Sequence, residues 1–94
     1  MFYVLADYEF VHDGHCNGGY ITDKTGISLK GCRDHCSELP EVGYFSYSTE
    51  GEKCSCYSTA ARCPDDNLYP AYNSYAIVRT GSLLNKSCFT NIQL

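Results

Sequence analysis

The sequence has no tryptophan and only one methionine among 94 residues. Basic residues are also few: Lys and Arg number seven against eleven Asp and Glu, for a net charge of −4. Nucleic acid and anionic membrane surfaces both call for a concentrated basic stripe. The scattered Lys and Arg argue against either partner. No apolar run approaches the ~20 residues of a membrane-spanning helix, so no membrane insertion is expected. The opening MFYVLA lacks the basic start and apolar core of a secretory leader. The chain is therefore expected to be a mature form or an excised domain. Chemistry-bearing motifs are missing too. There is no nucleophile elbow, no metalloprotease motif, no phosphate loop and no C-x2-C dithiol. The sequence points to no enzyme, no cofactor and no metal.

Cysteine and tyrosine are abundant, seven and nine residues respectively. A domain this small buries little surface and needs reinforcement. Dense cysteine in such a chain reads as a disulfide framework made in an oxidising compartment. The expected location is extracellular or cell-surface, with an organelle lumen as the other oxidising setting. Tyrosine suits positions with one edge buried and one wet, which are half-buried strands or binding surfaces.

Along the chain, Phe2 to Val11 is rich in β formers and predicts a strand. HDGHCNGG (residues 12–19) is a turn cluster. SLKGCRDHCSELP is the one helix candidate: Ser28 caps it, Pro40 stops it, and Leu29, Cys32, Cys36 and Leu39 share one face. GYFSYS (43–48) and CSCY (54–57) form a hairpin across TEGEK. Residues 71–80 predict a last strand. These elements make an α+β fold, an antiparallel sheet of about four or five strands packed on one helix.

Cys32 and Cys36 leave one helix face ~6 Å apart. Cys54 and Cys56 leave one strand face at ~6.6 Å. Matched rows allow two side-by-side staples. A helix antiparallel to the strand would pair Cys32 with Cys56 and Cys36 with Cys54, each closing a loop worth ~3 kcal/mol. A zinc cage is the rival, but C-x3-C on a helix with C-x-C on a strand fits the usual C-x2-C knuckle poorly. Cys16–Cys63 is the expected third bridge. Cys88 is then odd, either intermolecular or lacking a partner lost by truncation.

His12 and His15, with Asp13 between them, offer at best a weak metal set and read as solvated loop residues. His35 is expected to face solvent. The loop CPDDNLYPAY is the candidate binding surface, with Asp65, Asp66 and Asn67 as polar contacts and Tyr69 and Tyr72 as aromatic ones. That mix suits a sugar or a protein partner. Asn85-Lys86-Ser87 is an N-glycosylation sequon.

The ordered set of Cys16, SLKGCRDHC, YFSYS, KCSCY, Cys63 and YNSYAIV resembles a PAN/apple domain over about residues 8 to 80. The resemblance implies a short sheet cradling one helix, two helix-to-sheet disulfides and often a third joining the ends. It also implies a secreted, non-catalytic module binding protein or carbohydrate. This chain departs from that family in one respect: Val42 and Gly43 stand where many members carry a cysteine, and Cys54 appears instead. Residues 1–80 are thus expected to form the PAN/apple-like domain. Residues 81–94 would be a tail packing on the domain or on a partner. The alternative role is a structural subunit of a filament, coat or lumenal complex, docking or self-associating through the tail and Cys88.

Overall fold

The hydrophobic pattern resolves into β1 (Leu5–Asp13), β2 (Tyr20–Thr25), α1 (Leu29–Ser37), β3 (Val42–Ser48), β4 (Lys53–Ser58) and β5 (Asn73–Thr80). The structure is a computed structural model that describes residues 5–65 and 67–80. Asp66, Asn85, Cys88 and the 81–94 tail lie outside the described residues. The strands form one sheet in the order β1-β5-β3-β4-β2, and every neighbouring pair is antiparallel. The sequence-based picture of an α+β fold with one helix holds. Strand β2 is the addition. Its YITDKT run carries two charges and pairs on one side only, with β4, so it lacks the apolar signature of an inner strand.

Helix α1 starts where the capping rule places it. Ser28 is extended, and its hydroxyl accepts a hydrogen bond from the Gly31 N–H at 3.0 Å. The helix ends at Ser37, before Pro40. At that end Arg79 of β5 donates to the carbonyls of Ser37 (3.2 Å) and Leu39 (3.0 Å). A guanidinium there satisfies orphan carbonyls and complements the negative end of the helix. Cys32 and Cys36 face the sheet and are fully buried, with Leu29 and Leu39 packed around them.

The core between helix and sheet is small and aromatic. Phe45 and Val42 are fully buried beside Tyr47, Cys54 and Cys56. Tyr75 stacks on Phe45 at 5.1 Å, and Tyr8 meets Phe45 edge-on at 5.8 Å. The Tyr47 hydroxyl donates to the Ile27 carbonyl at 2.7 Å. Burial pushes the Tyr47 phenol above its ordinary value, with Glu52 adding to the effect. Gly43 is required by a close approach, because a Cβ there would lie 2.4 Å from Thr59 Oγ1. It also falls at the register shift between Val42 and Tyr44, which lets Val42 face the helix while Tyr44 faces the other side.

Three disulfides join Cys16–Cys63, Cys32–Cys54 and Cys36–Cys56. The first is the expected bridge. The staples are a correction: Cys32–Cys56 and Cys36–Cys54 are not formed. The reason is the direction of α1. Strands β2 and β3 flank β4 and both run antiparallel to it. The helix leaves β2 at the Lys53 end of β4 and must reach the start of β3 opposite Ser58. It therefore runs parallel to β4, so the earlier cysteines pair with each other and the later ones likewise. The two bridges lie side by side, with Cys36 Sγ 3.7 Å from Cys54 Sγ.

Non-reducing peptide mapping, with tandem fragmentation across Ser55, should recover Cys32 linked to Cys54 and Cys36 linked to Cys56. Removing the Cys32–Cys54 bridge by a double Ala substitution should cost about 3 kcal/mol in denaturant unfolding. Arg79→Met, which keeps the stem and removes the donors, should cost about 1–2 kcal/mol. The raised Tyr47 phenol means that the folded state holds its proton longer than the unfolded chain. Its contribution is complete below the ordinary phenol range and fades as pH rises through the folded titration. Tyr47→Phe should shrink that alkaline loss of stability.

Candidate functional site

The sheet face away from α1 carries the loops that hold the candidate site. A buried polar chain docks them. Ser46 Oγ accepts from the Cys16 N–H (3.3 Å), Ser46 and Ser74 hydroxyls bond at 2.7 Å, and Ser74 donates to the Gly14 carbonyl (2.6 Å). Both serines are fully buried, so each link satisfies a group that water cannot reach. The Cys16–Cys63 disulfide lies over this network, with Tyr57 and Tyr44 packed beside it. Further backbone ties run from Asn17 N–H to the Pro64 carbonyl (2.7 Å) and from Gly14 N–H to the Tyr72 carbonyl (2.6 Å). Cys16 also bridges to Asp65 as an isolated antiparallel pair.

The loop after β4 is unusual in its backbone. Arg62 (φ 63°), Cys63 (50°), Asn67 (58°) and Tyr69 (56°) all adopt the left-handed region. Asn tolerates it, but a bulky Tyr does so only when its surroundings hold it there. Local bonds do part of this. Asp65 Oδ1 accepts from the Asn67 N–H (2.8 Å), and the Tyr72 N–H donates to the Tyr69 carbonyl (3.0 Å). His15 does the rest. Its ring stacks on Tyr69 at 4.4 Å and meets Tyr72 edge-on at 4.2 Å. Tyr57 lies 6.3 Å from His15, and Tyr20 lies 6.2 Å from Tyr57. Five rings from separate parts of the chain thus form one aromatic cluster, with Tyr57 buried at its base.

Tyr69 remains 53% exposed and Leu68 57% exposed, so the loop presents apolar area to solvent. Beside it runs an open groove of about 300 Å³ lined by Asp13, Gly14, Asp65, Asn67, Leu68 and Pro70. Burial raises the Tyr72 phenol above its ordinary value, with Asp23 and Tyr69 reinforcing the shift. Tyr20 is raised chiefly by its hydrogen bond to Asp23 (2.6 Å). Both phenols therefore keep their protons through the neutral range. The surface offers carboxylate acceptors, an amide and ring faces. Such a set can hydrogen-bond a hydroxyl- or amide-bearing ligand and pack against its apolar side.

Of the loop residues singled out by sequence, Asp65 and Asn67 line the groove. Tyr69 and Tyr72 belong to the adjoining ring cluster. Asp66 lies outside the described residues. The histidine expectations need correction. His12 belongs to β1 rather than to a turn, and both its ring nitrogens are engaged. His15 is half-buried among the tyrosines rather than solvated. His35 is half-buried as well, and its Nε2 is inaccessible, without a hydrogen-bond partner among the described residues. The expected Cys16–Cys63 bridge joins these two loops, but no local pattern marks Asp13, Gly14 or Tyr57 as part of this face.

The sulfurs of Cys32, Cys36 and Cys54 lie within 4.8 Å of one another. All three are held in disulfides, so none offers the thiolate that a zinc site requires. Among the described residues, no helix is long and apolar enough to cross a membrane.

Ser46→Ala should leave both the Cys16 N–H and Ser74 Oγ short of a buried partner. It should cost about 1–3 kcal/mol in unfolding free energy and raise amide exchange at Cys16 before it does so in β4. Comparisons with protein-family models, with curated proteins and with solved structures found no match to this chain.

Proposed function

We propose that this chain is a non-catalytic recognition module of the secreted or cell-surface kind, binding a protein or carbohydrate ligand through the groove and ring surface of its loop face. The scaffold likeness proposed is to PAN/apple domains, supported by one helix stapled to an antiparallel sheet by two disulfides. Three disulfides fit an oxidising environment.

One observation carries the reading. Tyr69 is held in a left-handed backbone conformation, stacked on His15, yet half its surface faces solvent next to an open polar groove. Strained, over-determined residues collect at functional sites because ordinary packing gives no reason to maintain them. An aromatic ring pre-positioned this way loses little conformational freedom on binding.

A glycan array and a pull-down from secretions with the oxidised protein should each be tried. The expected result is a ligand whose affinity falls about tenfold or more in Tyr69→Ala, with the unfolding transition little changed. A folded protein that is blank in both assays, or a ligand indifferent to Tyr69→Ala and Asn67→Ala, would remove the reading.

A further inference from the structure

The end of β1 carries a feature that recognition alone does not account for. The register of β1 on β5 shifts between Phe10 and His12, leaving Val11 as an extra residue. Tyr8 and Phe10 pack toward Tyr75 on the helix side. After the bulge, His12 turns to the loop side, as bulges commonly re-aim the residue that follows. There its Nε2 lies 2.8 Å from the Cys63 carbonyl and 3.6 Å from Cys63 Sγ, while its Nδ1 lies 2.7 Å from the Asp13 carbonyl. Both ring nitrogens thus face carbonyl oxygens, which only accept. A neutral imidazole has one N–H and would set a lone pair against one of those oxygens. The imidazolium has two N–H groups and satisfies both.

The charged groups around the ring agree. Asp65 Oδ1 lies 4.0 Å from Nδ1, and the ring itself is 17% exposed. Asp13, next in the strand, lines the same groove as Asp65. On β5 the residues opposite are the uncharged Ser74 and Asn73. No Lys or Arg contacts the ring among the hydrogen bonds and ion pairs of the described residues.

We propose that His12 is a proton-operated latch, whose doubly protonated ring clamps the Cys63–Asp65 segment to the end of β1 and so holds the loop that carries Asn67 and Tyr69. The clamp acts on backbone that resists its conformation, since Arg62 and Cys63 are both left-handed. Losing the second proton leaves one carbonyl unanswered and loosens the segment between the disulfide and the groove. The sign follows from proton counting. The latched state binds the extra proton, so its stabilisation is present at lower pH and fades as pH rises through the ring's titration. The consequence for ligand binding rests on the recognition reading, but the latch does not.

The test uses the oxidised, unliganded full chain. Long-range proton–nitrogen NMR should find both His12 ring nitrogens protonated at neutral pH, where an exposed imidazole is mostly neutral. As the ring deprotonates, protection factors of the Asn17, Asn67 and Tyr72 amides should fall about tenfold, the change that losing one hydrogen bond from a charged donor implies. The Phe45 amide should hold. His12→Gln should abolish this pH dependence, and His35→Gln, on α1 away from the loop, should keep it. A His12 ring carrying one proton throughout the neutral range overturns the latch, as does loop protection independent of pH in the parent protein. A glycan array and a pull-down that are both blank, with this titration intact, remove the recognition reading and leave the latch standing.

Discussion

The direct bonding of helix α1 to strand β4 is the constraint on which the rest of the molecule depends. The apolar core is a handful of side chains around Phe45 and Val42, too little to hold a nine-residue helix containing a glycine. The Cys32–Cys54 and Cys36–Cys56 bridges replace the missing hydrophobic area with covalent ties. They also secure the β2 side of the sheet, because β4 is the strand that joins β2 to β3. With that layer secured, the opposite face is free to carry loops. Its own tie, Cys16–Cys63, is supported by buried hydroxyls as well as by Tyr57 and Tyr44.

The two faces therefore do different work. The helix side is buried and aromatic, and its cysteines are shielded from solvent. The loop side gathers four rings that are exposed or half wet around the buried Tyr57, with two carboxylates and an amide. Its backbone holds several left-handed residues in place through disulfide, turn and ring contacts. The energy that maintains them comes from the stapled layer beneath. Small rearrangements of the loop, including any set by the protonation of His12, can thus occur without disturbing the helix or its bridges.

Much of the scaffold was legible in the sequence because its signals are local. Ser28 capping, the shared face of Cys32 and Cys36, and the alternation of Phe45 and Tyr47 each depend on residues a few positions apart. Strand β2 was not legible, since an edge strand with one paired side needs no apolar alternation. The groove was half legible. Asp65, Asn67, Tyr69 and Tyr72 lie in one loop whose composition marked it. Their companions Asp13 and His15 come from the other end of the chain, in a run whose composition reads as a solvated turn.

The sequence by itself determined the class of protein: an oxidised α+β domain, stapled through a helix face and a strand face whose spacings match, with no catalytic motif. Only the tertiary structure decided which cysteine meets which. Two pairings satisfy the spacing equally, and the choice rests on whether α1 runs with or against β4. That direction follows from β2 and β3 flanking the same strand, a fact of topology that no local pattern records. The single extra residue at Val11 is of the same kind. It reverses the facing of His12, and with it the side of the sheet on which that imidazole acts.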